Sequence, residues 1–203
     1  TTWTLGAAAT STYFYSVTFI RGLFVAVGLD TIMTSPDGLT WTLCDTPAND
    51  HQWISVAYGS GLFVAIDNSG NTLTSPDGVI WTLRILPDGA WPYSITYAND
   101  RFVAVGDGNA MTSPDGITWT VISGIPYVYW VTVVYGDGIF VALSTYFDQV
   151  MTSPDGINWT YHTGHNAYWK SVAFGNHTFV GVGWGVNGMV MASPSFATTT
   201  FSG

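Results

Sequence analysis

Four aspartates recur in this sequence, each followed four residues later by a tryptophan. The pairs are Asp37–Trp41, Asp77–Trp81, Asp115–Trp119 and Asp155–Trp159. An aspartate can serve as a general acid, a general base or a nucleophile, and an indole ring offers an apolar face on which a sugar can stack. Because all four pairs share the segment Ser-Pro-Asp-Gly, a repeated structural turn is the competing interpretation.

The segment Ser-Pro-Asp-Gly meets the requirements of a β-turn. Proline at the second position has its φ already set, and glycine at the fourth tolerates the turn geometry. The aspartate can accept hydrogen bonds from nearby backbone N–H groups. The chemistry of this segment is therefore local, which favours the structural interpretation.

The elements that carry these turns form five repeats. A Phe-Val-Ala or Phe-Val-Gly motif recurs with spacings of 39, 39, 38 and 39 residues, at Phe24, Phe63, Phe102, Phe140 and Phe179. Each repeat divides into four short apolar stretches, named strands A to D, separated by Gly, Asn and Asp. A period near ~40 residues with four strands per unit is typical of a propeller blade. We predict an all-β, five-bladed β-propeller of four antiparallel strands per blade, one domain spanning residues 1–203.

The fifth repeat departs from the others. It reads "SPSFATT" at residues 193–199, without the tryptophan, whereas "TTWTL" at residues 1–5 is similar to "LTWTL" at residues 39–43. We therefore predict that the N-terminal strand closes the last blade and hides its edge. The alternative is that the C-terminal "TTTF" fills this place.

The turn motif resembles the Asp-box, or bacterial neuraminidase (BNR), repeat of sialidases and many other propellers. The resemblance rests on Ser35, Asp37, Gly38 and Trp41 and their three further copies, with one residue fewer between Asp and Trp than in the usual repeat. It implies that each box lies between strands C and D, away from the ligand face. The four aspartates with this implied structural role are Asp37, Asp77, Asp115 and Asp155.

The resemblance does not extend to sialidase catalysis. That activity would require three arginines around the substrate carboxylate and a Tyr–Glu nucleophile pair. The chain has no glutamate and three arginines in all. Arg21 and Arg101 lie at A–B turns on the box side of the ring, so they cannot join Arg84 in one cluster.

The loops at the opposite end of the blades vary between repeats. From the strand-B phenylalanine to the Ser of Ser-Pro the spacing is 11, 12, 11, 13 and 14 residues. Function is commonly carried by loops on a uniform framework. The B–C and D–A loops are therefore the predicted ligand face, with aromatic and acidic candidates Trp53, Trp91, Trp130, Trp169, Trp184, Asp30, Asp67, Asp107 and Asp148. Burial between blades and turn formation are the respective alternatives for these residues.

Composition excludes several partners. The chain has 13 acidic and four basic residues, a formal net charge of −9, which disfavours nucleic acid and anionic membranes. Cys44 is the only cysteine, and the histidines have no zinc spacing. The "DNSGN" loop at residues 67–71 lacks the full spacing of a calcium loop. We predict no cofactor, no metal, a monomer, and an extracellular or particle-surface location.

Three functions remain open. A non-catalytic, lectin-like carbohydrate-binding module is favoured, because aromatic platforms and Asp acceptors suit sugars and no catalytic constellation is evident. A glycoside hydrolase would use two loop aspartates as its carboxylate pair. A protein-interaction or structural module of a surface or viral assembly would use the same aromatic face.

Overall fold

The computed structural model describes residues 2–7, 10–47, 50–146, 149–163, 167–185 and 189–193. Its strands form five sheets, numbered here in chain order. Sheet 1 contains β1 (Phe14–Ile20), β2 (Leu23–Gly28), β3 (Thr31–Ser35) and β4 (Thr42–Leu43). Sheet 2 contains β5 (Trp53–Gly59), β6 (Leu62–Asp67), β7 (Asn71–Ser75) and β8 (Thr82–Ile85). Sheet 3 contains β9 (Pro92–Ala98), β10 (Arg101–Gly106), β11 (Ala110–Ser113) and β12 (Thr120–Ile122). Sheet 4 contains β13 (Trp130–Gly136), β14 (Ile139–Ser144), β15 (Gln149–Ser153) and β16 (Thr160–Thr163). Sheet 5 contains β17 (Tyr168–Gly175), β18 (Thr178–Trp184) and β19 (Met189–Ala192).

Each sheet is an antiparallel meander in which consecutive strands pair with one another. No helix occurs among the described residues. The all-β prediction is confirmed, and the five sheets agree with five blades. Sheets 1 to 4 have the four strands expected of a blade, and the described part of sheet 5 has three.

Burial explains why strands A and B carry continuous apolar runs. On β10, Phe102, Val103, Ala104 and Val105 are all fully buried. A strand that is covered by other sheets on both faces needs apolar residues at successive positions rather than alternate ones. In sheets 1 to 4 the fourth strand lies at the edge of the sheet, and Ile85 on β8 is correspondingly exposed.

The core lies between sheets rather than within one. Four apolar clusters each join one sheet to the next along the chain. The first strands of consecutive sheets pack side by side, as β5 does with β9 and β13 with β17. Cross-links support this packing: the Ile95 N–H donates to Ser55 Oγ at 3.3 Å, and the Val133 N–H donates to Ser94 Oγ at 3.1 Å.

Closure of the last sheet by the N-terminal strand is not confirmed. Residues 2–6 form no strand, and the side chains of Trp3 and Leu5 are almost fully exposed. Among the described residues of this segment, the backbone pairing joins Ala7 to Thr40, which lies just before β4. The alternative "TTTF" segment lies outside the described residues.

Candidate functional site

The loops separate into two faces. The box face carries the A–B turns and the Ser-Pro-Asp-Gly turns, which contact each other between sheets. Ser60 Oγ donates to the Pro114 carbonyl at 2.8 Å, and Asn99 Nδ2 donates to the Pro154 carbonyl at 3.1 Å. The loop face carries the B–C and D–A loops, which are joined by backbone bonds such as the Thr145 N–H to the Tyr129 carbonyl at 2.9 Å.

On the box face, the aspartate organises its own turn. In sheet 3, Asp115 Oδ1 accepts the N–H groups of Ile117 and Thr118 at 2.8 and 2.7 Å, and the Ser113 hydroxyl at 3.0 Å. Ser113 Oγ accepts the Gly116 N–H at 2.8 Å. All these partners lie within five residues of one another, so this carboxylate is occupied by its own turn.

These hydrogen bonds stabilise the charged form of the box aspartates. Those from the backbone N–H groups of Thr40 and Leu39 lower the pKa of Asp37 to about 2. At Asp155 burial opposes the shift, but bonds from the Asn158 and Ile157 N–H groups outweigh it and lower the pKa to about 2. Both carboxyls therefore remain ionised at neutral pH as turn acceptors, which is unsuited to a general acid.

Three of the predicted ligand-binding tryptophans are in the core. Trp53, Trp130 and Trp169 are fully buried between sheets, so they cannot contact a surface ligand, and for them the prediction is wrong. Successive strand residues point to opposite sides. Trp130 therefore points inward, whereas the preceding Tyr129 is exposed on the loop face.

Asp67 is also misassigned as a ligand-binding residue. Its side chain is fully buried, and it accepts bonds from the Asn71 N–H at 2.7 Å and the Ser69 N–H at 2.9 Å. A third contact, at 2.7 Å, joins Asp67 Oδ2 to His51 Nδ1, and the His51 ring stacks on Trp53. The carboxylate thus closes the turn at residues 67–71 and fixes the neighbouring loop.

The other predicted acids differ from one another. Asp30 is exposed, and its Oδ1 accepts the His51 N–H at 2.6 Å, which joins two loops. Asp107 is partly exposed, and its buried Oδ1 has no hydrogen-bond partner among the described residues. Asp148 lies outside the described residues. Asp107 therefore has acceptor capacity that no described residue uses.

The structure brings four tyrosines together on the loop face, named here the tyrosine row: Tyr93, Tyr129, Tyr146 and Tyr168. The ring centroids are 6.3 Å apart between Tyr93 and Tyr129, 5.4 Å between Tyr129 and Tyr146, and 5.9 Å between Tyr146 and Tyr168. Tyr93 is partly buried and the other three are exposed. The row therefore spans sheets 3, 4 and 5.

Both exposed tryptophans of the predicted set lie near the ends of this row. Trp91 precedes Tyr93 by two residues and is exposed. Trp184 is exposed and pairs with Tyr168 across β17 and β18. The ammonium of Lys170 lies 5.9 Å from the centre of the Trp184 ring. These tryptophans remain candidates for ligand contact.

The hydroxyls of the tyrosine row form no hydrogen bond with any described residue. On the box face, by contrast, equivalent groups are satisfied. Tyr58 accepts a hydrogen bond from Arg21 at 2.9 Å, and Tyr135 donates to Asn99 at 2.8 Å. The polar groups of the row are therefore available to a ligand.

Asp107 lies beside the row. Its backbone pairs with Tyr129, and its N–H donates to the Trp91 carbonyl at 3.0 Å. Burial raises the pKa of Tyr93, and the negative charge of Asp107 contributes to the same direction. Tyr93 is therefore a neutral hydroxyl next to a carboxylate, which gives this part of the face both a donor and an acceptor.

Sequence reasoning missed Tyr93 and Tyr146 and did not include Tyr129 and Tyr168 among the site residues. Tyr93 occupies the extra position of a β-bulge, where β9 and β10 shift register between Val105 and Gly106. Such a bulge redirects a side chain and leaves no simple sequence pattern. Tyr146 had a signal, because it lies in the longer fourth B–C loop.

Neither a metal cluster nor a spanning helix is found in the described part of the chain. No group of three or more His, Cys, Asp and Glu side chains there is placed to hold a metal ion. No helix within the same residues is long and apolar enough to cross a membrane.

No protein-family model matches the sequence, and no curated protein matches it. Solved structures do match. A catalytically inactive variant of virginiamycin B lyase from Staphylococcus aureus, determined with quinupristin, is similar at 14% identity and a TM-score of 0.76, covering 84% of this chain and 62% of that chain. YCF48 bound to D1 peptide is similar at 18% identity and a TM-score of 0.73, covering 92% and 66% respectively.

YCF48 from Cyanidioschyzon merolae also matches, at 16% identity and a TM-score of 0.68, covering 89% of this chain and 66% of that chain. The chain thus spans somewhat under two thirds of the length of these proteins. The virginiamycin lyase and YCF48 are β-propeller proteins. At this level of identity the likeness concerns the fold alone, and it places the five sheets within a β-propeller architecture.

Proposed function

We propose that the protein is a non-catalytic binding propeller that holds a carbohydrate on its loop face. The observation that supports this proposal is the tyrosine row, whose four rings follow one another at centroid distances of 5.4–6.3 Å. Its hydroxyls are free of bonds to described residues. The row therefore combines apolar contact area with available polar groups.

This combination matches the chemistry of a sugar. A pyranose has an apolar C–H face that packs on aromatic rings, and its hydroxyls require hydrogen-bond partners. Tyrosine supplies both, with an apolar body and a polar tip. Because the Tyr129–Tyr146 and Tyr146–Tyr168 pairs meet edge to face, their rings face different directions, which suits more than one sugar unit.

Asp107 supplies the acceptor in this proposal. Asp107 is partly exposed beside the row, and its carboxylate can accept a hydrogen bond from a sugar hydroxyl. Trp91, exposed beside it, extends the platform at this end. Trp184 has the same role at the Tyr168 end.

Binding to a glycan array tests this function. We expect the wild-type chain to bind a subset of glycans and Tyr129→Ala or Tyr146→Ala to weaken that binding at least tenfold. Ile80→Ala removes a comparably exposed apolar side chain from the box face and serves as the control, with unchanged affinity. Failure of the wild-type chain to bind any sugar at millimolar concentration would refute the proposal.

A peptide is the second candidate ligand. It is favoured by the solved structure of YCF48 bound to D1 peptide, a propeller to which this chain is similar. An exposed aromatic row also suits a polypeptide. Binding of the same variants to a peptide library distinguishes the two candidates, because loss of peptide binding without any glycan binding would favour the peptide.

Hydrolysis of a glycoside has less support. That reaction needs two carboxylates at the scissile bond. Asp67 is buried with its acceptors occupied, and Asp30 is engaged by the His51 N–H. Release of a hydrolysed sugar from a bound glycan, with loss of turnover in Asp107→Asn, would support this alternative.

A further inference from the structure

The first and the last sheet, sheets 1 and 5, leave apolar side chains uncovered. Val17 on β1 is 59% exposed, whereas Val56, the equivalent residue of sheet 2, is 6% exposed. On the outward face of sheet 5, Val190 is 73% exposed, whereas Ile32, its equivalent in sheet 1, is fully buried. Sheets 1 and 5 therefore each expose a face whose equivalent is buried in the sheets that lie between them.

One recurring contact shows how consecutive sheets fit together. At two of the four junctions between consecutive sheets, an aromatic ring from one sheet lies over a glycine at the end of the first strand of the preceding sheet. At the other two junctions, Ile20 and Ala98 occupy the position of this glycine. A β-carbon on Gly59 would lie 2.0 Å from the Tyr97 ring, and one on Gly136 would lie 2.2 Å from the Phe174 ring. Only glycine accommodates the ring at these two positions.

Sheet 5 carries the glycine of this contact, and sheet 1 carries the aromatic ring. A β-carbon on Gly175, at the end of β17, would meet nothing within 4 Å. Phe19, the equivalent aromatic residue on β1, is 53% exposed. The last sheet thus has a glycine without its ring, and the first sheet has a ring without its glycine.

A second contact repeats the pattern at the box turns. A β-carbon on Gly116 would lie 2.6 Å from Val64 of the preceding sheet, and one on Gly156 would lie 2.5 Å from Val103. In sheet 1, the box glycine Gly38 has only the Phe24 ring of its own sheet nearby. The missing partner corresponds to Val180 on β18.

The open face of sheet 1 is a formed groove. A cavity of about 270 Å³ is lined by Phe14, Val17, Met33, Trp41 and neighbouring residues of sheet 1, and by Gly6 of the N-terminal segment. Their equivalents in sheet 2, such as Trp53 and Leu73, contact sheet 1 in the first apolar cluster. The groove therefore has the shape and chemistry that receives a preceding sheet of this same repeat.

We propose that the groove of sheet 1 binds sheet 5 of a second copy of this chain, head to tail. Among the residues that the structure describes, β1 and β17 do not pack together, so the two faces do not meet within one chain. The contact is heterologous, since each copy uses a different face.

Cysteine cross-linking between two different variants tests the proposal. Phe19→Cys and Gly175→Cys proteins are mixed and oxidised; Cys44 is buried and is left in place. We expect a disulfide-linked dimer containing one chain of each variant, in clear excess over dimers of either variant alone. The close fit at Gly59 and Tyr97 brings their β-carbons within reach of a disulfide.

The Phe19→Cys/Gly175→Cys double variant tests whether the two faces meet within a single chain instead. A cross-link confined to single chains would mean that the ring closes on itself, and this would overturn the proposal. An absence of cross-links in both experiments would overturn it as well, because the two faces would then not meet at all.

Association provides an independent readout. We expect the mass by sedimentation to rise with concentration, and Gly175→Leu to abolish that rise, because it fills the space that Phe19 would occupy. A β-carbon at this position meets nothing within 4 Å, so we expect no fall in the melting temperature. Ile85→Ser, on an exposed outer strand, is the control and should associate like the wild type. A wild-type chain that stays monomeric at all concentrations would contradict the proposal.

Discussion

The Ser-Pro-Asp-Gly turns of the box face and the loops of the loop face differ in how completely their polar groups are used. At the box turn of sheet 3, one aspartate oxygen accepts two N–H groups and a hydroxyl. On the loop face, Asp107 Oδ1 and Asn109 Oδ1 are buried without partners among the described residues. A satisfied network stabilises a turn, whereas unsatisfied groups call for an explanation such as a ligand. The difference teaches that the repeated turns satisfy their own polar groups, whereas the variable loops leave some of theirs without a partner among the described residues.

The fourth box is a small exception within the uniform face. Trp41, Trp81 and Trp119 each donate an indole N–H to the glycine carbonyl of their box, at 3.0–3.3 Å. Trp159 Nε1 is buried and has no partner among the described residues. The aspartate bonds of this box are nevertheless intact, so the turn depends on Asp155 rather than on the indole.

The largest expected effect on stability comes from replacing Trp130, which was predicted on the loop face but lies in the core. Trp130→Ala should destabilise the protein by about 3–5 kcal/mol, because it leaves a large cavity in the cluster between sheets 3 and 4. Trp91→Ala, at an exposed position, should cost less than about 0.5 kcal/mol. Urea unfolding measures both. Equal small losses would show that Trp130 is not the packing residue described above.

An intermediate effect is expected at the box turn. Asp115→Ala should lower stability by about 1 kcal/mol, because the N–H groups of Ile117 and Thr118 lose their acceptor but are exposed enough for water to replace it in part. Ligand affinity should not change. Asp107→Ala is the matched substitution on the loop face and should weaken ligand binding while changing stability less. The opposite pattern would reverse the assignment of the two faces.

The smallest expected effect is the dependence of stability on pH that arises from the box aspartates. The folded-state pKa of Asp37 and of Asp155 is lowered from 3.8 to about 2. A lowered pKa means that the charged form stabilises the fold. This contribution is fully present above about pH 5 and is lost as pH falls toward 2.

Thermal unfolding from pH 6 to pH 2 checks this prediction. The melting temperature should fall across that range, and the fall should be smaller in Asp155→Asn, whose turn no longer gains from a charge. If Asp155→Asn and the wild type lose stability in parallel, the box carboxylates do not carry the acid sensitivity.

Much of the fold follows from the sequence because its signals are local. The Phe-Val-Ala motif places a phenylalanine and its apolar neighbours on the second strand of every sheet, where Phe63 and Phe102 are buried. The Ser-Pro-Asp-Gly segment places a turn directly after the third strand of sheets 1 to 4. Each repeat needs only its own residues and its neighbours for this result.

The binding candidates were harder to predict because they depend on direction and approach. Trp130 and Tyr129 are adjacent and both aromatic, yet one is core and the other is surface. Asp67 and Asp107 occupy similar loops, but His51 and the 67–71 turn occupy the first carboxylate. Composition and spacing do not distinguish such pairs.

The sequence by itself determined the repeat, the strand content and the box turns, because periodic burial and turn chemistry act over a few residues. Only the tertiary structure decided which aromatic side chains face outward, since that depends on bulges and on the neighbouring sheet. It also brought Tyr93, Tyr129, Tyr146 and Tyr168, which are up to 75 residues apart in the chain, into one row. The open faces of sheets 1 and 5 likewise result from how the sheets are arranged, because each strand alone has the same pattern as its buried equivalents.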